Sequence, residues 1–427
     1  MKVLVVGGGG REHALAWKLA RESGVDEVVA APGNPGIARH ARLAAVDAAD
    51  CEGLLALATR ERVDLTVVGP ELPLARGLVD LFVASGLPIV GPTRAAAQLE
   101  CSKVFAKTFM AKHGIPTARY RVCDDASSAH ALIARGELGF PVVVKADGLA
   151  AGKGVVVAHD RASADRAVDA AMKERQFGDA GTRLVIEECL TGPEVSFFAL
   201  CDGTRAVPLL TAQDHKRAFD HDEGPNTGGM GAFAPSALVD DALHARIMRE
   251  IVQPVVEGLA ADGHEYRGFL YAGLMLTCDG PKVIEFNVRF GDPEAQVVIP
   301  AVEGDLVPHL AAAAAGTLLG SSIRFSGRKH VGVVLASKGY PGSGPMGLPI
   351  SGLDDAERLE DVLVLHAGTR RAGEEEAIVT AGGRVLTVVG RGATFEAAVA
   401  RAYEGVSAIS FDGMHYRRDI GLKALPL

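Results

Sequence analysis

The chain has 427 residues, 48% of them hydrophobic, and this length and composition predict two to four folded domains. Lysine and arginine total 44 against 53 aspartates and glutamates, so the formal net charge is −9. With no long basic run, this balance disfavours binding to nucleic acid. The opening apolar run, Val3–Val6, is short and leads into four glycines, so we expect neither a signal peptide nor a membrane segment.

The cysteines are far apart in the sequence and form no C-x-x-C pair, which disfavours a zinc site and a disulfide framework. We therefore expect a reducing, cytoplasmic location. The six cysteines are Cys51, Cys101, Cys123, Cys189, Cys201 and Cys278.

The first hundred residues alternate short apolar runs with helix-like segments, which predicts a parallel α/β sheet. The first run ends in Gly7–Gly10, where backbone N–H groups could bind a phosphate or simply form a tight turn. A dinucleotide site is disfavoured, because Glu12 or His13 stands where the G-x-G-x-x-G pattern needs its third glycine. Glu71 follows a later apolar run, at the predicted carboxyl edge of the sheet, where ligands of α/β proteins bind.

From about Lys103 the pattern becomes richer in strands, which indicates a new domain. The apolar runs 142–145 and 155–157 predict a β-hairpin whose glycine-rich tip, 146–154, could close over phosphates. The tip is not a Walker A loop, since its glycine and lysine spacing is one residue short and it lacks the strand-to-helix context. Lys145 ends the first strand and either neutralises nucleotide phosphates or extends its ammonium group to solvent.

Two further segments have the character of ligand-binding loops. The strand at 183–190 turns polar before the next strand begins near Gly192, and such a crossover could form an adenine hinge. Residues 213–217 and 224–231 combine charge with glycine, which fits either substrate contacts on a mobile backbone or a solvated charged loop. A helix at Leu306–Ala315 then leads to a C-terminal α+β region with predicted packing roles.

The most informative segment is Glu285–Glu294, which follows a predicted strand. Alternation along a strand puts Glu285, Asn287 and Arg289 on one face. Carboxylate and amide oxygens are hard ligands of the kind that Mg²⁺ takes, and arginine binds phosphate or carboxylate bidentately. A solvated strand face ending in a turn is the alternative, but the apolar residues that follow suggest that the polar run is enclosed.

Together, the lid hairpin, the predicted hinge and the Glu285/Asn287 pair resemble the ATP-grasp ligases. More narrowly, the chain resembles the phosphoribosylamine–glycine ligases, or glycinamide ribonucleotide synthetases, from Met1 to the closing Arg418–Gly421. The segments that carry this resemblance are 9–14, 31–34, 145–154, 213–217, 225–231 and 289–296. One departure from many ATP-grasp enzymes is Gly273, where a metal-binding carboxylate is frequent.

The resemblance implies a fold of three parts and a reaction. The parts are an N-terminal parallel α/β domain at 1–101, an ATP-grasp domain at 102–325 with a lid at about 120–190, and a small α+β domain at 329–427. The implied reaction joins glycine to 5-phosphoribosylamine with ATP, through glycyl phosphate, in purine biosynthesis. A monomer without nucleic-acid or membrane partners is expected.

The resemblance also implies roles for individual residues. Mg²⁺ or Mn²⁺ would bind Glu285 and Asn287, and Arg289, Asp292 and Lys145 would be catalytic. Adenine would contact Glu187 and the backbone of 188–190, and the ribose hydroxyls would contact Glu194. The full ATP set is Lys103, Lys145, Gly152, Lys153, Gly154, Glu187, Glu188, Leu190 and Glu194. The substrate set is Gly9, Gly10 and Glu71 for phosphoribosylamine, Asp214 and Lys216 for glycine, and Arg289 and Asp292 for both.

Three alternatives stay open from the sequence. Another ATP-grasp ligase would differ in its acid and amine substrates. A nucleotide-sensing protein would bind ATP without turnover, and a dinucleotide oxidoreductase would bind NAD or FAD.

Overall fold

Short apolar runs at the start of the chain form a parallel sheet. In this computed structural model, which describes residues 1–148, 154–318, 320, 322–373 and 377–425, the strand order is β3-β2-β1-β4-β5, with every pair parallel. Val3–Val6 are fully buried, as expected for a parallel strand covered on both faces. The predicted N-terminal α/β fold is confirmed. Its elements are β1 Lys2–Gly7, α1 Gly10–Leu19, β2 Glu27–Pro32, β3 Arg42–Leu43, α2 Cys51–Glu61, β4 Leu65–Val68, α3 Glu71–Ala75, α4 Leu78–Ala84, β5 Ile89–Val90, α5 Gln98–Cys101 and α6 Lys103–Lys112.

The next segment forms an antiparallel sheet, which we call the lid sheet. Its order is β6-β9-β7-β8, and β7 and β8 form the hairpin that the sequence predicted. The lid has an apolar core of its own, from residues between Cys123 and Ile186. Its elements are β6 Tyr120–Cys123, α7 Ala126–Arg135, β7 Val142–Ala146, β8 Val155–Ala158, α8 Arg161–Val168 and β9 Leu184–Glu188.

A second antiparallel sheet, the central sheet, has the order β11-β10-β16-β17. Alternate residues of β10 face opposite sides, so Phe197 and Phe198 belong to two different apolar clusters. The same clusters take alternate residues of β1, and the central sheet therefore shares its core with the N-terminal sheet. The elements here are β10 Glu194–Asp202, β11 Ala206–Pro208, β12 Gln213–Asp214, β13 Arg217–Phe219, β14 Glu223–Asn226, β15 Gly231–Ala234, α9 Asp241–Ile247, α10 Gln253–Ala261, β16 Arg267–Thr277, β17 Gly280–Asn287, α11 Ala295–Val298, β18 Val302–Glu303 and α12 Val307–Ala315.

The C-terminal segment completes a mixed-origin sheet with the order β12-β15-β20-β24-β21. Two of its strands, β12 and β15, come from the middle of the chain, so backbone pairing ties the C-terminal segment to residues 213–234. Helix α14 packs on this sheet through Ala398, Ala402 and Val406. The remaining elements are β19 Arg324–Phe325, β20 Lys329–Ala336, α13 Leu353–Arg358, β21 Val362–His366, β22 Thr369–Ala372, β23 Ala377–Thr380, β24 Arg384–Gly392 and α14 Phe395–Ala408.

Two properties of the described chain bear on its chemistry. All six cysteines are free thiols. Within the described residues, no helix combines the length and apolarity needed to span a bilayer.

Candidate active site

The polar side chains of Glu285 and its neighbours lie at the end of β17. Glu285 stands opposite Gly273 of β16, and a β-bulge just before it shifts the register of the preceding pairs. Phe286 points into the core, while Glu285 keeps 41% of its side chain exposed. Asn287 Oδ1 accepts a hydrogen bond from Arg289 Nη2 at 3.5 Å. The structure therefore puts the predicted acid, amide and cation close together at one strand end.

Glu285 lies among positive charges. Lys216 Nζ is 3.7 Å from Glu285 Oε1 and 3.0 Å from Glu194 Oε2. Burial opposes ionisation of Glu285, but the charges of Lys216, Lys145 and Lys103 hold its pKa below the usual value. An ionised carboxylate beside an amide oxygen suits a divalent metal that bridges phosphates.

The protein supplies few ligands at this place. Among the described residues, no group of three or more His, Cys, Asp and Glu side chains is arranged to hold a metal ion. Gly273, directly across from Glu285, contributes no side chain. A metal at Glu285 and Asn287 would therefore complete its shell with water and ligand phosphates, as Mg²⁺ commonly does.

Two buried lysines share one buried carboxylate where the lid meets the central sheet. Lys145 on β7 and Lys107 on α6 each form an ion pair with Glu187 on β9. Lys145, Lys107 and Glu187 are 6%, 3% and 5% exposed, respectively. Burial lowers the pKa of Lys107, and the charge of Glu187 opposes that shift.

Both ends of this polar network reach neighbouring carbonyls of β17. Lys145 Nζ donates to the Ile284 carbonyl at 3.0 Å. Lys107 Nζ donates to Thr117 Oγ1 at 2.7 Å, and that hydroxyl donates to the Val283 carbonyl at 2.7 Å. The network thus fixes the lid sheet against the strand that carries Glu285, at the bulge beside it.

The side chains of the predicted adenine hinge have partners within the protein. The carboxylate of Glu187, its first member, is paired with the two lysines. Glu188 accepts hydrogen bonds from the backbone N of Arg119 at 2.9 Å and from Arg119 Nε at 2.6 Å. Leu190 is partly exposed just after β9. The backbone N–H groups of Glu188 and Cys189 donate to the carbonyls of Arg119 and Pro141, at 3.0 and 3.3 Å.

Other predicted ATP residues surround the hairpin tip. Lys103, the first residue of α6, donates from Nζ to the Gly148 carbonyl at 3.3 Å. The Gly154 carbonyl accepts from the Ala146 backbone N at 2.8 Å, which closes the hairpin. Gly152 and Lys153 lie outside the described residues.

Carboxylates crowd around Lys216 next to β12. Burial and the negative charge of Glu194 raise the pKa of Asp214 above its usual value, and the positive charge of Lys216 opposes that shift. Glu294 is also buried, and burial together with the charge of Asp214 raises its pKa to about 7. Ser196 Oγ donates to Glu294 Oε1 at 3.2 Å. Asp214, Glu194 and Glu294 thus form a group of acidic side chains around Lys216.

In the glycine turn after β1, the backbone N–H of Gly9 already has a partner within the protein. Gly9 N donates to Glu12 Oε2 at 2.6 Å, and Arg11 Nε donates to Glu12 Oε1 at 2.6 Å. The Gly9 N–H that the sequence suggested for phosphate is therefore occupied by Glu12. At Gly10, an added Cβ would lie 2.5 Å from Gln296 Nε2, so a side chain there would displace the Gln296 amide.

Arg289 is held by two carboxylates from the N-terminal half. Its Nε donates to Glu71 Oε2 at 3.2 Å, and its Nη2 donates to Glu100 Oε1 at 3.0 Å. Glu100 Oε2 also accepts from the Val288 backbone N at 2.7 Å. Burial opposes the charge on Arg289, but Glu100 and Glu71 raise its pKa above the usual value. Glu71 and Arg289, predicted separately, are direct partners.

Asp292 is held by side chains from α11 and β24. Gln296 Nε2 donates to Asp292 Oδ1 at 2.7 Å, and Arg384 Nη2 lies 3.1 Å from Asp292 Oδ2. Burial opposes ionisation, but Arg384 and then Arg11 hold the pKa of Asp292 below its usual value. Asp292 is thus an oriented, ionised carboxylate.

The sequence suggested no role for Glu12, Glu100, Lys107, Glu294 and Arg384, which the structure brings into this site. Glu12 has a local signal, since an acid three residues after a turn can cap the helix it opens. Glu100, Lys107 and Arg384 have no such signal, because each reaches its partner through long-range packing.

Comparison with known proteins identifies the family. Models of the N, ATP-grasp (A) and C domains of phosphoribosylglycinamide synthetase match residues 1–100, 101–295 and 330–423. The phosphoribosylamine–glycine ligase of Ralstonia nicotianae is 53% identical over 426 residues, and the alignment covers all of both chains. That of Xanthomonas axonopodis pv. citri is 53% identical over 430 residues, and the alignment covers all of this chain and 98% of the relative. The crystal structure of the Thermotoga maritima phosphoribosylamine–glycine ligase is 33% identical, with a TM-score of 0.84, and the match covers 98% of this chain and all of that one. The chain belongs to the phosphoribosylglycinamide synthetase family and has its ATP-grasp fold.

Proposed function

We propose that this protein is the carbon–nitrogen ligase that joins glycine to 5-phosphoribosylamine, with ATP, to give glycinamide ribonucleotide, ADP and phosphate in purine biosynthesis. The observation that carries the proposal is the match over the whole chain, at 53% identity, to proteins named for this reaction. The three family domains occur in one chain and in order. The proposed division is 1–101, 102–325 and 329–427, with the lid at about 120–190.

ATP is proposed to lie between the lid sheet and the central sheet. Lys145 comes from the lid and Glu285 from β17, and a hydrogen bond from Lys145 to the strand next to Glu285 brings these two sides together. Lys103, Lys145 and the tip at 152–154 would neutralise phosphates, while the backbone of 188–190 would meet adenine. Glu194 would bind the ribose hydroxyls, which requires it to exchange its contact with Lys216.

A divalent metal accompanies ATP in ATP-grasp enzymes, and Glu285 and Asn287 are proposed to hold it here. The ionised state of Glu285 fits this role, since hard cations prefer carboxylate and amide oxygens. The bound metal would offset charge on the phosphates. Mg²⁺ is the proposed ion, with Mn²⁺ as the alternative.

The acidic pocket beside β12 is proposed to receive glycine. Asp214 and the buried Glu294 would face the ammonium end of the amino acid, whose positive charge would favour their ionised forms, and Lys216 and Arg289 would face its carboxylate. Gly9, Gly10 and Glu71 would contact phosphoribosylamine from the N-terminal domain. Because Gly9 N is bound to Glu12 and Glu71 to Arg289, this half of the site would exchange internal partners for substrate.

The proposed chemistry has two steps. A carboxylate oxygen of glycine attacks the γ-phosphorus and ADP leaves, which gives glycyl phosphate. The amine of phosphoribosylamine then attacks the acyl carbon, loses a proton, and phosphate leaves. Lys145 offsets charge on the transferring group, Arg289 and Asp292 align the reactants, and the lid excludes the water that would hydrolyse the acyl phosphate.

The test is ADP release by the purified protein with ATP, Mg²⁺ and glycine, with and without freshly generated phosphoribosylamine. The proposal expects ADP and glycinamide ribonucleotide in equal amounts only when both substrates are present. ADP release with another acid and amine pair would favour a different ATP-grasp ligase. ATP binding without turnover for any pair would favour a nucleotide-sensing protein. Binding of NAD or FAD would favour an oxidoreductase.

A monomer in the cytoplasm is proposed for the working enzyme. Free thiols at all six cysteines suit a reducing compartment. Light scattering at micromolar concentration should give a mass near the 44.4 kDa of one chain.

A further inference from the structure

Arg384, in the C-terminal segment, reaches two segments of the central part of the chain. It is the first residue of β24. Its Nη1 donates to the Asp292 carbonyl at 2.6 Å and to the Gly228 carbonyl at 2.7 Å, while its Nη2 lies 3.1 Å from Asp292 Oδ2. A single planar guanidinium therefore links Asp292 to the loop at 227–231, which we call the glycine loop.

A second C-terminal side chain holds the same loop. Tyr340 Oη accepts a hydrogen bond from the Gly228 backbone N at 2.9 Å. Both backbone polar groups of Gly228 are thus bound by the C-terminal segment. Gly229 has a φ of +111°, and a Cβ there would lie 2.4 Å from Pro293 Cδ. The glycine loop therefore packs directly on the residue that follows Asp292.

Three parts of the protein converge on the Asp292 carboxylate. Gln296 from α11 donates to its Oδ1, and Arg384 from β24 binds its Oδ2. The turn after β1 is also near, since a Cβ at Gly9 would lie 3.7 Å from Asp292 Oδ2. Without Arg384, Gln296 would still bind one oxygen, but the other oxygen and the glycine loop would lose their shared donor.

We propose that Arg384 is a positioning residue of the half of the site that binds phosphoribosylamine. It fixes the Asp292 carboxylate and the glycine loop in one geometry. The inference rests on the proposed function, in which Asp292 faces the reacting substrates. It gives the C-terminal segment a part in the reaction beyond the packing role expected from sequence. Misplacement of about 1 Å can cost on the order of 100-fold in rate, so a loosened Asp292 should be visible in kinetics.

The charge of Arg384 also supports the ionised state of Asp292. The groups that face this carboxylate are Arg384, Arg11 on α1, Gln296 on α11 and Arg289 after β17. Burial raises the pKa of Asp292, and Arg384 is the strongest of the charges that lower it. Removing Arg384 should therefore raise that pKa, and activity should be lost at a higher pH on the acid side.

The kinetic test compares R384Q and R384K with R358Q. Arg358 is an exposed residue of α13, paired with Asp355, and serves as the matched C-terminal control. We expect R384Q to lower kcat/KM for phosphoribosylamine by about 10- to 100-fold, with the KM for ATP within about threefold of wild type. The acid limb of its pH profile should move to higher pH. R384K keeps the positive charge but lacks the planar guanidinium with its paired donors, so its kcat/KM should lie between those of R384Q and wild type. R358Q should match wild type.

A second measurement does not depend on turnover. Hydrogen exchange of peptides covering 226–231 and 288–296 should become faster in R384Q, while peptides from α7 in the lid stay unchanged. If exchange is faster in R384Q but the wild-type enzyme makes no glycinamide ribonucleotide, the link from Arg384 to Asp292 and the glycine loop stands and the proposed function is rejected. Unchanged exchange, or a loss confined to the KM for ATP with an unmoved acid limb, would overturn the role of Arg384.

Discussion

Replacing Glu187 with glutamine removes the carboxylate that two buried lysines share. Lys107 and Lys145 are almost fully enclosed, so solvent cannot take over the role of their counter-ion. Removing one partner from a buried ion pair typically costs about 3–5 kcal/mol, because the remaining charge is left without compensation. We expect Glu187→Gln to lower the free energy of unfolding by an amount in this range.

Replacing Lys107 with methionine should have a smaller effect. Glu187 keeps Lys145 as its partner in this variant, so no buried charge is left alone. The losses are the bonds from Lys107 to Glu187 and Thr117, and a hydrogen bond to a charged group contributes about 1.5–3 kcal/mol. Lys112→Met on the same helix is the control, because Lys112 is 59% exposed and its pair with Asp262 should contribute about 0–1 kcal/mol.

Urea unfolding followed by far-UV circular dichroism measures these differences. The fluorescence of Trp17, the single tryptophan, gives a second probe on α1, and coincident curves justify one free energy for the chain. The expected order of destabilisation is Glu187→Gln, then Lys107→Met, then Lys112→Met. A Glu187→Gln variant no less stable than Lys112→Met would refute the buried network.

Three further outcomes are expected. Lys145→Met should lower kcat by about 100-fold or more, since it removes the charge proposed to offset that of the phosphates, while circular dichroism at 25 °C stays native; near-normal turnover would reject that role. Glu294 has a folded pKa of about 7, above its unfolded value, so its protonated form stabilises the fold at low pH and that contribution is lost as pH rises through 7. Glu294→Gln should therefore gain stability relative to wild type between pH 6 and pH 8 in urea titrations, and a constant difference would contradict this. His366 is buried, which lowers its pKa to about 4, so its contribution is present above pH 6.5 and lost as pH falls towards 4. His366→Gln should show a shallower loss of stability between pH 7 and pH 5, and parallel curves would count against it.

Local patterns in the sequence were sufficient for much of the fold. Alternation and glycine spacing predicted the hairpin of β7 and β8, and the apolar runs predicted the parallel N-terminal sheet. The pairing of β15 with β20 was not predicted, because it joins segments about 100 residues apart. Short strands with long-range partners leave little local signal.

The candidate site was likewise predictable from the sequence only in part. Glu285 and Asn287 were identifiable because their chemistry and spacing lie within three residues. Glu187 could be located but its partners could not, since Lys107 lies 80 residues earlier, on a helix with no distinguishing pattern. Arg384 lies in a segment assigned to packing, and only the folded arrangement brings it to Asp292.

Isotope transfer from glycine tests the central claim most directly. Glycine labelled with ¹⁸O in its carboxylate would be incubated with the protein, ATP, Mg²⁺ and freshly generated phosphoribosylamine, and the released phosphate analysed by mass spectrometry. Ligation through glycyl phosphate predicts one ¹⁸O atom in each phosphate and one glycinamide ribonucleotide for each ADP. ADP release with unlabelled phosphate, or without glycinamide ribonucleotide, would contradict it.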